Sequence, residues 1–252
     1  MLFGICYLGF VLTGCGGNRS LVKLDAEDQF KIAKEAFDRR KYQDAVEEFK
    51  RVLFEHPGSG YVDDAQFYLA ESYRLMEDFS EAISEYQFLI RNFPESPYVE
   101  DAQFQRGVAH WRLSPPYYLD QTDTEEAIGV FEEFKKKYPD SKLLPEVENS
   151  LFLAQEKLAR KSLENGGHYR KRKEFSSAII YLKFLLAEFP DSKFRREATF
   201  LLAECYEGTG RKEEALASYR ELLVGEDEYV TKAKERIEKL ENSSGSGRLQ
   251  KQ

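Results

Sequence analysis

A dipeptide of Ala followed by an aliphatic residue recurs at Ala45-Val46, Ala82-Ile83, Ala127-Ile128, Ala178-Ile179 and Ala215-Leu216. Twelve residues after the first four of these alanines stand Pro57, Pro94, Pro139 and Pro190. Upstream, in what reads as the preceding helix, stand Ala33, Ala70, Gly107, Gly166 and Ala203. Self-similarity of this kind marks a chain built from stacked units, and it constrains the fold more than any composition does. Small residues let two helices cross closely. The prolines stop the second helix of each pair, and the Ser or Asp that follows can cap the next helix.

The pattern resembles the tetratricopeptide consensus. The predicted fold is therefore all-α: a superhelix of five helical hairpins plus a C-terminal helix. One hairpin cannot bury its own apolar face, so neighbours must stack. The pairs Phe49/Val52, Tyr86/Leu89, Phe131/Phe134, Leu182/Leu185 and Tyr219/Leu222 supply the knobs between helices. Successive key alanines are 37, 45, 51 and 37 residues apart, so some units are elongated. The third unit carries an insertion, Ser114–Thr122, which can plug the groove or brace units three and four, with bracing the preferred reading. The 51-residue step includes Leu143–Lys161 as an extended first helix. Gly166-Gly167 weakens that unit by about 1 kcal/mol per Gly relative to Ala. The repeat domain is placed at residues 26–240, its last helix at about Glu228–Leu240, and a Ser/Gly-rich disordered tail at 241–252.

Residues 1–14 are uncharged and mostly apolar, too short for a stable bilayer span but suited to a signal peptide. No Lys or Arg precedes the apolar run. The run ends in Leu12-Thr13-Gly14-Cys15, which resembles a bacterial lipobox, followed by a polar linker through residue 25. The lipoprotein signal is the preferred reading, and the alternative is an ordinary secretory signal with a chance Cys. Acylation of Cys15 would anchor the rest firmly, because each buried CH₂ contributes about 0.8 kcal/mol. Gly16 is compatible with sorting to the outer membrane.

The formal net charge of −8 disfavours nucleic acid as a partner. Catalysis has no support in the sequence. His56, His110 and His168 lie in different units without ligand spacing, no Cys pair is spaced for a metal, and Cys205 sits at a core-facing helical position. No metal or cofactor is expected beyond a covalent lipid on Cys15.

On the first helices of a tetratricopeptide superhelix four positions face the inner wall. One of them holds Phe30, Phe67, Phe104 and Phe200, and another holds Phe37, Arg74 and Trp111. Aromatic rings beside an Arg suit a peptide ending in an aromatic residue and a carboxylate. The same Phe residues can equally pack between neighbouring repeats.

The segment Ser114-Pro-Pro, then Leu119-Asp-Gln-Thr122 and Glu126-Ala-Ile128, together with the lipobox and the Tyr-Pro-Asp-Ser type turns, resembles the BamD (ComL-like) lipoproteins over about Cys15 to Leu240. Those proteins belong to the machinery that inserts β-barrel proteins into the outer membrane. The resemblance implies a lipid-anchored subunit on the periplasmic face of that membrane. Its amino-terminal repeats would recognise targeting signals of unfolded barrel proteins through Phe30, Phe37, Phe67, Arg74, Phe104 and Trp111. Its carboxy-terminal repeats would dock on a POTRA domain of a BamA-like barrel protein, and Arg196 matches the family's partner-binding Arg. The competing reading is a repeat scaffold that coordinates cell-wall or envelope machinery. A solute- or glycan-binding protein would need a deep pocket.

Overall fold

The computed structural model describes residues 24–246; the predicted signal peptide, Cys15 and most of the linker lie outside them. Eleven helices and no strand occur among the described residues. They are α1 (Ala26–Asp38), α2 (Tyr42–Glu55), α3 (Val62–Leu75), α4 (Phe79–Asn92), α5 (Val99–Leu113), α6 (Thr122–Lys137), α7 (Leu144–Lys171), α8 (Phe175–Glu188), α9 (Arg195–Gly208), α10 (Lys212–Glu221) and α11 (Glu228–Ser246). Each helix packs on the next, so α1 to α10 form five consecutive hairpins and α11 covers the end. First helices of successive hairpins also touch: α1 with α3, α5 with α7, α7 with α9, and α9 with α11. No pair of second helices is packed to the same extent. The first helices therefore form the inner arc of the stack.

The crossings follow the sequence pattern. Ala33, Ala45, Ala70, Ala82, Ala127, Ala178, Ala203 and Ala215 are completely buried, and so are the knobs Phe49, Val52, Tyr86, Leu89, Phe131, Phe134, Leu182, Leu185 and Tyr219. At two crossings even a methyl group is too large. A Cβ on Gly107 would lie 2.5 Å from the Phe131 ring, and one on Gly166 would lie 2.7 Å from Leu182 Cγ. The glycine pair consequently does not break its helix: α7 continues unbroken past Lys161 to Lys171. Tight packing of Gly166 offsets the helix propensity it lacks.

The hairpin turns are built alike. The second residue after the first helix adopts a left-handed conformation at Arg40, Glu77, Lys173 and Gly210, with φ between 59° and 73°. The next N–H reaches back five residues, as in Lys41 to Ala36 O and Asp78 to Tyr73 O, both 2.9 Å. This is a Schellman closure, usually made with glycine. In the third hairpin the insertion replaces it. Between hairpins, Ser59, Ser96, Ser141 and Ser192 do not cap the following helix. Their hydroxyls accept the N–H two residues on, at 3.0–3.4 Å, and so close the turn.

The last helix runs to Ser246, beyond the Leu240 end expected from its composition. Lys212 of α10 donates to Leu240 O, and Arg220 pairs with Glu241 at 3.0 Å, so contacts from the neighbouring helix hold that turn.

Two substitutions should act in opposite directions. Glu77→Gly relieves the left-handed strain and should stabilise the protein by roughly 0.5–1 kcal/mol. Gly166→Ala improves helix propensity but forces a methyl into Leu182, and should destabilise by about 1–3 kcal/mol. Urea unfolding of both variants checks the pair; stabilisation by Gly166→Ala would contradict the close crossing.

Candidate polypeptide-binding surface

The half-buried phenylalanines of the first helices form a row, and each packs within its own chain. Phe30 stacks on Tyr61 at 5.2 Å and lies 5.9 Å from Phe49. Phe67 stacks on Tyr98 at 4.4 Å. Phe104 meets Phe131 and Phe134 at 6.2 and 6.5 Å, and Phe200 meets Tyr219 and Tyr229 at 5.5 and 5.9 Å. Tyr61 and Tyr98 immediately precede α3 and α5, so each of these stacks joins one hairpin to the next. Phe37 packs edge-on against Tyr68 at 5.1 Å, and Tyr68 itself reaches Phe30, Phe67 and Tyr98. The structure thus brings Phe30, Phe37 and Phe67 into one aromatic cluster around Tyr68, with Phe104 and Trp111 one hairpin further along. Sequence reasoning found the phenylalanines but not the tyrosines. Their signal was present in the recurrence of Tyr61 and Tyr98 two residues after a turn Ser.

Charged groups on this face are engaged by neighbours. Arg74 grips Glu71 through both fork nitrogens, at 3.0 and 2.6 Å, and the buried Tyr86 hydroxyl donates to the same carboxylate. The guanidinium pKa is raised by this hydrogen bond to Glu71, while burial, then Glu71, pushes the Tyr86 hydroxyl well above its ordinary range. Asp101 has its carboxyl raised by burial and by the nearby Glu100 and Glu71. Lys34 lies 4.9 Å above the Tyr68 ring, and Lys157 lies 4.9 Å above Trp111.

Buried amides were not anticipated. Gln29, Gln66 and Gln103 occupy one position in three successive first helices and donate to Glu48, Glu85 and Glu133 at 2.5, 2.7 and 2.9 Å. Each bond ties a first helix to its second. Between hairpins, Tyr98 donates to Asp64 at 2.7 Å, and Ser141 donates to Glu100.

The insertion braces. Lys157 donates to Ser114, Lys161 donates to Leu119 O at 2.7 Å, and Arg160 stacks over Tyr117 at 4.2 Å, so three side chains from little more than one turn of α7 hold the loop. Gln121 is buried and donates to Pro116 O at 2.9 Å, which folds the loop on itself.

Arg196 faces its own chain. It pairs with Asp227 and donates to Val224 O and Leu222 O, both at 2.9 Å, fastening the corner between α10 and α11. This ion pair lowers the Asp227 carboxyl below its usual range. Cys205 is fully buried, and burial pushes its thiol up to about 11, so it stays protonated and unreactive at neutral pH. His110 meets Asp123 at 3.3 Å, and no group of His, Cys, Asp and Glu among the described residues is arranged to hold a metal.

Consecutive antiparallel pairs, small-residue crossings and a first-helix face lined with aromatic edges define a tetratricopeptide-type superhelix. Residues 23–222 match the family described as YfiO, outer membrane lipoprotein, and the chain belongs to that family. The outer membrane protein assembly factor BamD of Rickettsia prowazekii (strain Madrid E) is 24% identical over 217 residues, covering 85% of this chain and 86% of that protein. BamD of Vibrio cholerae serotype O1 is 21% identical over 211 residues, covering 79% of this chain and 88% of that one. Among solved structures, a tetratricopeptide repeats protein from Bacteroides fragilis is 12% identical with a TM-score of 0.47, covering 88% of this chain and 98% of the other.

The Arg196 fastening makes a local prediction. Arg196→Lys keeps a cation for Asp227 but loses the planar fork that reaches two carbonyls. Amide exchange at Gly225–Val230 should quicken while α3 stays protected. Unchanged exchange at the corner would show that the fork does not hold it.

Proposed function

We propose that this protein is a subunit of the machinery that assembles β-barrel proteins into the outer membrane, acting by binding rather than by catalysis. Membership of the outer membrane lipoprotein family over residues 23–222 carries this reading. The relatives from Rickettsia, Caulobacter and Vibrio, each named as an outer membrane protein assembly factor, support it. In this reading a lipid on Cys15 holds the chain on the periplasmic face of the membrane. Unfolded barrel proteins meet the first-helix face, where the exposed edges of Phe30, Phe37, Phe67, Phe104 and Trp111 take their aromatic residues. The carboxy-terminal hairpins dock on the POTRA region of a BamA-like partner. Arg196 serves that dock by holding the corner Leu222–Asp227 in shape.

Arg74 enters with a condition. Its fork already holds Glu71, so a peptide carboxylate must exchange with that side chain. Glu71→Gln weakens the internal competitor. It should increase the preference for a peptide with a free C-terminal carboxylate over its C-terminal amide by about threefold to tenfold, an energy of roughly 1 kcal/mol. Equal binding of the two peptides by both proteins would remove Arg74 from the site.

The assembly role is tested by extracting the tagged full chain from its membrane in mild detergent and identifying stoichiometric partners. A POTRA-containing barrel protein is expected. Recovery of a cell-wall enzyme in its place would favour a scaffold role and overturn the proposal. Cys15→Ser should move the protein into the soluble fraction after alkaline washing of the membranes, and retention there would contradict lipid anchoring.

A further inference from the structure

The long helix α7 outruns the helix that packs on it. In the turn between α8 and α9, the N–H of Lys193 donates to Glu156 Oε1 at 3.1 Å and fixes that turn beside the middle of α7. From there α7 extends about three turns further back, to Leu144, beyond the end of α8 at Glu188. Phe152 and Leu153 on this stretch are each 46% exposed. A cavity of about 230 Å³ opens in the angle. Phe152, Phe189 and Pro190 give it apolar walls, Glu156, Glu188 and Asp191 give it carboxylates, and no Lys or Arg lines it. It is smaller than the roughly 300–1,000 Å³ of small-molecule sites, and its size suits one long side chain.

Glu156 is the telling residue. Its side chain is only 8% exposed. A buried carboxylate is costly unless its oxygens are hydrogen-bonded. Oε2 has no hydrogen-bond partner among the described residues. The Lys193 ammonium stands 3.6 Å away, beyond hydrogen-bonding reach, on a side chain that is 70% exposed. The two preceding turns treat their carboxylates differently. Tyr98 donates its hydroxyl to Asp64 at 2.7 Å, and Ser141 donates to Glu100. In the α8–α9 turn Phe194 stands where Tyr98 stands, two residues after the turn Ser, and brings no hydroxyl. The Ser192 hydroxyl accepts the Phe194 N–H and bonds to no carboxylate among the described residues.

Charge separates the two sides of Glu156. Toward the insertion it meets Lys157, Arg160 and Lys193, a side already rich in cations. Toward the cavity it meets Glu188 and Asp191, both exposed and neither in an ion pair among the described residues. A cation entering from this side gains three carboxylates. Arginine fits best. Its guanidinium is more weakly hydrated than an ammonium, so it enters a half-closed site at lower cost, and its plane stacks on rings such as Phe152 and Phe189. Its aliphatic stem lies along apolar walls.

We propose that this cavity receives an arginine side chain of a partner protein, with the guanidinium on Glu156 and the stem between Phe152 and Phe189. The site uses neither the first-helix phenylalanines nor Arg196, and it stands apart from the assembly role proposed above.

The test uses the isotope-labelled full chain in detergent at fixed ionic strength, titrated with Nα-acetyl-arginine methylamide and read by amide NMR shifts. Ser192 and Lys193 report, because the Lys193 N–H bonds directly to Glu156. Saturable shifts are expected there, with the matching blocked lysine bound at least about threefold more weakly. Glu156→Gln keeps an acceptor for the Lys193 N–H but removes the charge. It should weaken blocked arginine at least about tenfold with the helices intact. Phe152→Ala, at an exposed site, should weaken it about threefold. Lys193→Ala removes the resident cation and should strengthen it about twofold to threefold. Five results would overturn the proposal: no saturable shift, unchanged binding by Glu156→Gln, equal binding of the uncharged isostere Nα-acetyl-citrulline methylamide, blocked lysine bound as tightly as blocked arginine, or spermidine saturating the same amides at lower concentration, which would make the cavity a polyamine site.

Discussion

Everything in this molecule depends on how closely two helices approach at the small residues of each hairpin. With Ala or Gly on the first helix and Ala on the second, large knobs such as Phe131 and Leu182 sit directly against backbone. Interiors packed to this density transmit displacement, so the crossing sets where the rest of each helix points. From that geometry follows the layering. First helices touch one another along the inner arc, second helices splay outward, and the phenylalanines of the first helices fall into register.

That register has a consequence for binding. The aromatic row is a seam before it is a surface, because Phe30 and Phe67 stack on the tyrosines that open the next hairpin. Charges beside the row are likewise satisfied from within, most fully at Glu71, which receives Arg74 and Tyr86 together. A ligand on this face therefore meets ring edges and a shaped wall more than waiting charges. Buried amides from Gln29, Gln66 and Gln103 hold each wall segment at a set angle to its second helix, so the face is preorganised.

The hairpin architecture was legible because its cause is local. A recurring Ala with Pro twelve residues on states where helices cross and where they stop, and every predicted knob proved buried. The aromatic positions were legible for the same reason. What sequence alone did not reveal depends on partners far along the chain. Gln29, Gln66 and Gln103 carry no local signal of burial, because the carboxylate that satisfies each comes from the second helix. Arg40, Glu77 and Lys173 carry no mark of the left-handed turns they adopt, since packing on both sides imposes that conformation. Gly166-Gly167 read as a weak point, yet the first is required by Leu182 and only the second is free. Arg196 read as a contact for another protein, and in this fold its fork closes on Asp227 and two carbonyls of its own chain.

The claim that aromatic stacking joins consecutive hairpins is tested most directly by a double-mutant cycle on unfolding free energy with Phe67→Leu and Tyr98→Leu. Stacked rings at 4.4 Å should show a coupling of about 0.5–1.5 kcal/mol. Simple additivity of the two single changes would mean that the rings meet without holding the repeats together.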